Sequence, residues 1–215
     1  MIVLLFGPPG SGKGTQAKDL SARLGVPHVA TGDIFRKHLK EGTELGKLAR
    51  GYMDRGELVP DSVTCDLVAW RLSEPDAVGG VLFDGFPRSV AQARWLVDWL
   101  GARQRSVTAV VNLLVPRALI LERMSGRRTC KSCGEPYHVT YNPAPGGLCS
   151  KCGSADVVQR ADDAESVVLD RLQVYADQTF PCIEVLRAVA PIHDVDGVGD
   201  IAAVRGRVYA ALNLG

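Results

Sequence analysis

The glycine-rich segment Gly7–Thr15 constrains the fold of this chain more than any other part of it. Its sequence is GPPGSGKGT; it follows the short apolar run Ile2–Phe6 and leads into Thr15–Leu24, where apolar residues have helical spacing. In a strand, glycine loop and helix arranged in this order, backbone N–H groups and the helix N-terminus can surround a polyphosphate. The alternative, a glycine-rich turn without a ligand, is disfavoured because the whole context of the motif is present.

The predicted polyphosphate contacts lie on both sides of one lysine. They are Gly10, Ser11, Gly12, Lys13, Gly14 and Thr15. Lys13 supplies the positive charge. The generic phosphate-loop pattern has Ser or Thr directly after the lysine, whereas here Gly14 intervenes and the hydroxyl comes at Thr15. Direct ligation of magnesium by that hydroxyl is therefore not a firm expectation.

Further apolar runs alternate with amphipathic stretches along the chain. The runs Val81–Phe83, Val107–Val115 and Pro191–Val195 are separated by stretches such as Ser89–Leu100 and Ser166–Tyr175. This alternation predicts an α/β fold in which helices flank a parallel sheet. With 215 residues, 46% of them hydrophobic, the chain can bury one substantial core.

Two stretches do not fit the strand–helix alternation. Thr31–Val59 is polar and helical in pattern, and Gly126–Asp163 contains prolines, glycines and four of the six cysteines. Both are expected to be insertions outside the sheet.

The charge balance excludes a global field that would attract nucleic acid or an anionic membrane. Lys and Arg number 25 against 24 Asp and Glu, which gives a formal net charge of +1. No stretch approaches the roughly 18 apolar residues of a membrane span, and the apolar start Met1–Phe6 has no basic leader. We therefore predict a cytoplasmic protein that binds neither nucleic acid nor membranes.

The four clustered cysteines have the spacing of a metal site. Cys130 and Cys133 are followed, after fifteen residues, by Cys149 and Cys152, which matches a tetrahedral Cys₄ zinc site with no open coordination position. A structural Zn²⁺ would stabilise an excursion that has few apolar residues of its own. The alternatives are two disulfides, a nucleic-acid-binding zinc ribbon, and competition from His138 as a ligand.

An acid ends one of the predicted strands. Asp84 follows Val81–Phe83, at the position where an α/β sheet presents a carboxylate to a metal ion at its carboxyl edge. Such an acid can also be only a turn former or a helix cap. Beside a phosphate-binding loop, we expect Asp84 to lie on the magnesium side of the site.

Taken together, the motifs resemble one family closely. They are Gly7–Gln16, Thr31-Gly32-Asp33 with Arg36, Asp84–Arg88 with Gln92, Gly126-Arg127-Arg128, and Arg160 with Asp162-Asp163 and Arg171. In this order they are similar to the adenylate kinases, of the long bacterial type with a zinc-bearing lid, and the resemblance covers nearly the whole chain. It implies a P-loop core of residues 1–29, 60–125 and 164–215, an AMP-binding insertion at 30–59 and a lid at 126–163.

The resemblance also implies site residues, position by position. On the AMP side they are Thr31, Arg36, Glu57, Leu58, Val59, Gly85, Phe86, Pro87, Arg88, Gln92, Arg160 and Arg171. On the ATP side, besides the loop, they are Arg123, Arg127, Pro136, Tyr137 and Gly199. The implied catalytic residues are Lys13, Asp84, Arg88, Arg127, Arg160 and Arg171. Gln92 would recognise the adenine edge, because an amide offers both a donor and an acceptor.

The activity implied is reversible, Mg²⁺-dependent phosphoryl transfer from ATP to AMP, giving two ADP, by a monomer. The chemistry needs position and countercharge but no nucleophilic side chain. The nearest alternative is a related kinase that uses UMP or CMP as acceptor or GTP as donor. An alternative of another class is a zinc-ribbon ATPase that binds nucleic acid, which the near-neutral charge disfavours.

Overall fold

The computed structural model describes residues 1–214, and a parallel sheet lies at its centre. In chain order the strands are β1 (Ile2–Phe6), β2 (His28–Ala30), β3 (Val81–Asp84), β4 (Ala109–Leu114), β5 (Arg127–Cys130), β6 (Pro136–His138), β7 (Val157–Val158) and β8 (Ile192–Asp196). The helices are α1 (Lys13–Leu24), α2 (Thr31–Lys40), α3 (Glu44–Met53), α4 (Asp61–Leu72), α5 (Val90–Gly101), α6 (Arg117–Gly126), α7 (Glu165–Val174), α8 (Cys182–Arg187) and α9 (Ile201–Ala211).

The central sheet has the strand order β2-β3-β1-β4-β8, and all its neighbours are parallel. The predicted fold class is thereby confirmed. Strand β2 was not predicted: it has only three residues, and it becomes a strand by pairing with β3, His28 beside Leu82 and Ala30 beside Asp84.

Both faces of this sheet are covered by helices, so its strands are apolar on both sides. Side chains alternate along β1. Residues 2, 4 and 6 pack with Leu96 of α5 and Leu186 of α8, whereas residues 3 and 5 pack on the opposite face with Leu20 of α1 and Val204 of α9. This two-sided burial fixes the carboxyl edge of the sheet, from which the phosphate-binding loop extends.

Two parts of the chain, one containing α2 and α3 and the other containing β5, β6 and β7, contribute no strand to the central sheet. Helices α2 and α3 pack on each other around Phe35 and Ala49. Strands β6, β5 and β7 form a separate antiparallel sheet in that order. We call this antiparallel sheet the cysteine sheet, because Cys130 ends its central strand.

Among residues 1–214, no helix combines the length and apolar character needed to cross a lipid bilayer.

Helices α2 and α3 approach so closely at Gly46 that no side chain fits there. A Cβ on Gly46 would lie 2.3 Å from the carbonyl oxygen of His38 and 2.5 Å from the amide nitrogen of Leu39. Gly51 lies in the same helix but faces outward, and the nearest atom to a Cβ there is the end of the Arg55 side chain, at 3.9 Å.

We predict that Gly46→Ala lowers the free energy of unfolding by about 1–3 kcal/mol, the usual cost of forcing an extra carbon into a packed contact. Gly51→Ala is the matched control and should raise it by about 0.5–1 kcal/mol, because alanine favours a helix over glycine. Urea unfolding of both variants measures the difference. Equal stability of the two would contradict the close contact.

Candidate active site

The loop between β1 and α1 can be built only with glycine at its first position. Gly7 has φ 136°, and a Cβ there would lie 2.7 Å from Ser11 Oγ and 2.8 Å from the carbonyl oxygen of Leu113. Gly10 and Gly12 also have positive φ, 78° and 96°, which is a conformation that glycine adopts without strain. The loop thus turns back after the end of β1 and leads into α1.

Lys13, the first residue of α1, folds back over this loop. Its Nζ donates to the carbonyl oxygens of Gly7, at 2.7 Å, and Pro8, at 2.9 Å. Burial lowers the pKa of Lys13 to about 8, and the negative charge of Asp84 offsets part of that shift. The ammonium therefore lies in a place where water no longer solvates it fully.

Asp84 ends β3 beside the loop. Its Oδ2 lies 3.4 Å from where a Cβ on Gly14 would be, and 3.3 Å from Nε2 of His28. Burial opposes ionisation of Asp84, but the hydrogen bond with His28 and the charge of Lys13 outweigh it, so its pKa lies below the ordinary value. An ionised carboxylate at this position is the hard oxygen ligand that Mg²⁺ prefers, and a magnesium ion fits here.

Two of the predicted arginines are held by a pair of consecutive acids. Nε of Arg127 donates to Oδ2 of Asp163 at 2.7 Å, and its Nη2 donates to the other carboxylate oxygen. Nη1 of Arg171 lies 2.9 Å from Oδ2 of Asp162 and 3.5 Å from Oδ1 of Asp163. The Asp163 side chain is completely buried, so these guanidiniums are fixed in position before any ligand arrives.

Two further arginines are less fully paired with acids. Nε of Arg88 donates to the carbonyl oxygen of Gly85 at 2.7 Å, and Nε of Arg160 donates to Oγ1 of Thr129 at 2.9 Å. Burial lowers the pKa of both, that of Arg160 to about 10, and the nearby charge of Arg36 lowers both further. They stay protonated at neutral pH, at an energetic cost that a bound anion would offset.

The cations affect one another across this cleft. The charges of Arg88, Arg171 and Arg127 each lower the pKa of Lys13, after the larger effects of burial and of Asp84. Burial lowers the pKa of Arg171 to about 10, and Arg127 and Arg88 add to that shift. The structure thus brings all the predicted catalytic residues into one region of strong positive charge.

Three of the predicted AMP-side residues, Thr31, Arg36 and Phe86, differ in their surroundings. Thr31 Oγ1 donates to the carbonyl oxygen of Gly85 at 2.9 Å, and Arg36 lies beside Asp33. Phe86 is fully buried in the core, so its ring packs against apolar side chains and does not face the cleft.

Four other AMP-side positions were predicted without a specific side-chain role. Pro87 and Val59 are buried, and Leu58 is half-buried. The exposed carboxylate of Glu57 accepts hydrogen bonds from Arg55, from Nη2 at 2.7 Å and from Nε at 2.9 Å.

On the ATP side, Arg123 connects three segments. Its Nη2 donates to the carbonyl oxygen of Gly197 at 3.0 Å and its Nη1 reaches that of Ser11 at 3.5 Å. Gly199 follows in the same loop, with φ 120°. The guanidinium therefore lies between α6, the phosphate-binding loop and the loop after β8.

The four clustered cysteines come together as a candidate metal centre. Their Sγ atoms all lie within 4.8 Å of one another, Cys130 3.6 Å from Cys152 and Cys133 3.5 Å from Cys149. Tetrahedral zinc, with Zn–S bonds of about 2.3 Å, requires sulfur separations of about 3.8 Å. A disulfide requires about 2.05 Å; the cysteines are free thiols, and a tetrahedral metal ion fits.

Tyr137 was expected on the ATP side, and His138 only as an alternative metal ligand. The Tyr137 ring is buried, and its hydroxyl donates to Sγ of Cys149 at 3.3 Å, which lowers the pKa of that thiol to about 6. The Tyr137 side chain is thus engaged with the cysteine cluster, whereas Pro136 is half-buried. His138 Nδ1 accepts from the amides of Thr140 and Tyr141, at 3.0 and 3.1 Å, and His138 is not part of the sulfur cluster.

Two contacts link the turn between β5 and β6 to helices on either side of the cleft. Lys18 Nζ of α1 lies 3.0 Å from Oε1 of Glu135, and Lys40 Nζ of α2 lies 3.4 Å from the carbonyl oxygen of Ser132. In the described conformation, the turn between β5 and β6 therefore contacts both α1 and α2.

The sequence analysis assigned no role to three residues of the site that have acidic or basic side chains. His28 contacts Asp84, Asp163 holds Arg127, and Asp61 accepts hydrogen bonds from Gln92 and Ser89, at 2.7 and 2.9 Å. Only Asp163 lay in a recognised motif. Asp61 begins α4, where an acid is common for reasons of the helix dipole alone, so its spacing carried no signal.

The sequence has clear relatives among characterised families. A family model described as "Adenylate kinase" matches residues 5–190. The chain is 50% identical over 205 residues to the adenylate kinase of Moorella thermoacetica, covering 95% of this chain and 94% of the relative. It is 49% identical over 205 residues to that of Clostridium perfringens (strain SM101 / Type A), covering 95% and 94%, and 48% identical over 216 residues to that of Desulfitobacterium hafniense (strain DSM 10664 / DCB-2), covering 100% and 99%.

Nothing in these relatives favours the uridylate, cytidylate or GTP-dependent alternative. The match spans most of the chain, and the identity near one half extends over almost its whole length. The chain therefore belongs to the adenylate kinase family.

Proposed function

We propose that the chain catalyses reversible transfer of the γ-phosphoryl group of ATP to AMP, giving two ADP. The observation that supports this most strongly is the convergence of Lys13 and the buried arginines on Asp84 and the glycine loop. Such a cleft suits the phosphate groups of two nucleotides that meet end to end.

The proposed roles follow from where each charge lies. Lys13 exchanges the carbonyl oxygens of Gly7 and Pro8 for oxygens of the ATP phosphates. Arg88 holds the acceptor phosphate, and Arg127, Arg160 and Arg171 face the group in transfer. Charge spreads over the γ-phosphoryl oxygens in the transition state, so fixed cations stabilise it more than the ground state.

Asp84 would hold the Mg²⁺ that accompanies ATP, and the ion supplies countercharge to the phosphates. His28 keeps the carboxylate ionised and fixed in direction through its 3.3 Å contact. The hydroxyl of Thr15 lies in the first turn of α1 and is a second candidate oxygen.

We further propose that residues 126–163 act as a lid and residues 30–59 as the AMP-binding part, both attached to the core. The ion pair that joins the lid to α1 is partly exposed: the Lys18 side chain is 64% exposed and that of Glu135 is 19% exposed. Exposed pairs contribute about 0–1 kcal/mol. The lid can therefore open for nucleotides and close to exclude water during transfer.

The sulfur cluster of the lid would hold one structural Zn²⁺ through Cys130, Cys133, Cys149 and Cys152. All four ligand positions would be thiolates, so the ion takes no part in transfer. The free thiols also support a reduced, cytoplasmic setting.

The function is tested by following ADP formation from ATP, AMP and Mg²⁺ with a coupled assay. UMP and CMP as acceptors and GTP as donor provide the comparison. A preference for UMP or CMP over AMP would replace the proposed acceptor.

Lys13→Met should lower kcat by at least about 10²-fold, because removing a single fixed donor to a developing charge typically costs 10²–10³. Lys37→Met is the control: its ammonium is 74% exposed, 3.9 Å from Glu41, and kcat should not change. Loss of less than tenfold in Lys13→Met would be inconsistent with the phosphate role.

Metal analysis should find about one zinc per chain, as a single Cys₄ site requires. Cys130→Ser with Cys133→Ser should abolish that zinc and lower the melting temperature of the lid, with part of the low-temperature activity retained. Cys65→Ala, a buried thiol outside the cluster, should keep the metal. An unchanged melting curve in the metal-free double variant would refute a structural role.

A further inference from the structure

The side chain of Gln92 is held by two groups of this chain. It is only 1% exposed. Its Oε1 accepts from the backbone N–H of Arg88 at 2.8 Å, and its Nε2 donates to Oδ1 of Asp61 at 2.7 Å. Oδ2 of Asp61 accepts from the hydroxyl of Ser89 at 2.9 Å, which fixes the carboxylate in turn.

These partners determine which way the amide faces. A backbone N–H can only donate, and an ionised carboxylate can only accept. If the amide were reversed, its NH₂ would face the N–H of Arg88 and its oxygen would face the carboxylate of Asp61. Both contacts would then be repulsive, so the orientation follows from chemistry rather than from shape alone.

We propose that Asp61 is a positioning residue for selection of the acceptor base, because it fixes the direction of the Gln92 amide. This inference rests on the proposed function and on the role that the resemblance to adenylate kinases implies for Gln92, contact with the adenine of AMP. Among residues 1–214, the Asp61 carboxylate accepts side-chain hydrogen bonds from Gln92 and Ser89, and we do not propose it as a catalytic residue.

A fixed amide distinguishes bases of equal shape. After its two internal bonds, Gln92 keeps one lone pair on Oε1 and one hydrogen on Nε2. Adenine offers an amino donor at C6 beside the acceptor N1, which matches an amide held in one direction. Hypoxanthine has the same ring outline but offers the reverse, an acceptor oxygen at C6 beside a donor N1–H. IMP, which carries hypoxanthine, therefore tests direction without a change in size.

Without Asp61, only the N–H of Arg88 directs the amide. Gln92 can then turn and offer its NH₂ to the C6 oxygen of hypoxanthine. We expect Asp61→Ala to lower the ratio of kcat/KM for AMP to that for IMP by about tenfold, the factor that one charge-assisted hydrogen bond contributes. Uniform loss of activity with both acceptors, at an unchanged ratio, is what a merely structural role would give.

The experiment compares the full-length wild type with Asp61→Ala and four further variants, using ATP as donor and AMP or IMP as acceptor. Asp61→Asn keeps the size of the side chain but offers an NH₂ as well as an oxygen, so it can also donate to a reversed amide and should lower the ratio. Asp61→Ser places a hydroxyl that both donates and accepts, so it should lower the ratio as alanine does while keeping a polar start to α4. Asp66→Ala removes an acid elsewhere on α4 and should leave the ratio unchanged, and Gln92→Ala should remove most of the preference.

Melting temperatures are measured for every variant. If Asp61→Ala does not fold, Asp61→Ser replaces it in the comparison. A wild-type ratio in Asp61→Ser or Asp61→Ala, together with a collapsed ratio in Gln92→Ala, would overturn the role of Asp61 and leave the proposed function standing. A wild type that does not prefer AMP to IMP, or a Gln92→Ala variant that keeps the preference, would overturn both the inference and the proposed role of Gln92.

Discussion

The parallel pairing of β1 with β3 is the constraint on which the site depends. It sets Leu5 beside Asp84, so the glycine loop that follows β1 and the carboxylate that ends β3 emerge at the same edge of the sheet. The apolar side chains on both faces of β1 hold that register against the helices, because a slip by one residue would exchange the two faces. The hydrophobic core thus determines the distance between Lys13 and Asp84.

Around this pair the chain accumulates positive charge that its acids only partly balance. Asp162 and Asp163 neutralise Arg127 and Arg171, but Lys13, Arg88 and Arg160 lie in places where burial lowers their pKa. Keeping these groups charged without a ligand costs free energy. Polyphosphate binding releases that cost, and the fixed directions of the guanidiniums mean that little reorganisation is left for the transition state.

Local features of the sequence predicted much of this. The strand, loop and helix at the N-terminus are adjacent in the chain, and the cysteine spacing describes a compact unit, so both could be recognised from spacing. The contacts missed join distant residues: His28 reaches Asp84 across 56 positions and Asp61 reaches Gln92 across 31. Neither follows a periodic pattern, and β2, with three residues, becomes a strand only through its partner. Burial of the Phe86 and Tyr137 rings likewise depends on tertiary packing, which spacing does not encode.

Strand β5 gives the sulfur cluster a mechanical connection to the cleft. Arg127 begins this strand and Cys130 ends it, so the guanidinium and the thiol lie at opposite ends of a rigid arm about 10 Å long. Thr129 pairs with β6 on one side and with β7 on the other, and Asp163 holds the Arg127 end of the strand. One four-residue strand thus has a member of the candidate metal centre at one end and a guanidinium of the cleft at the other.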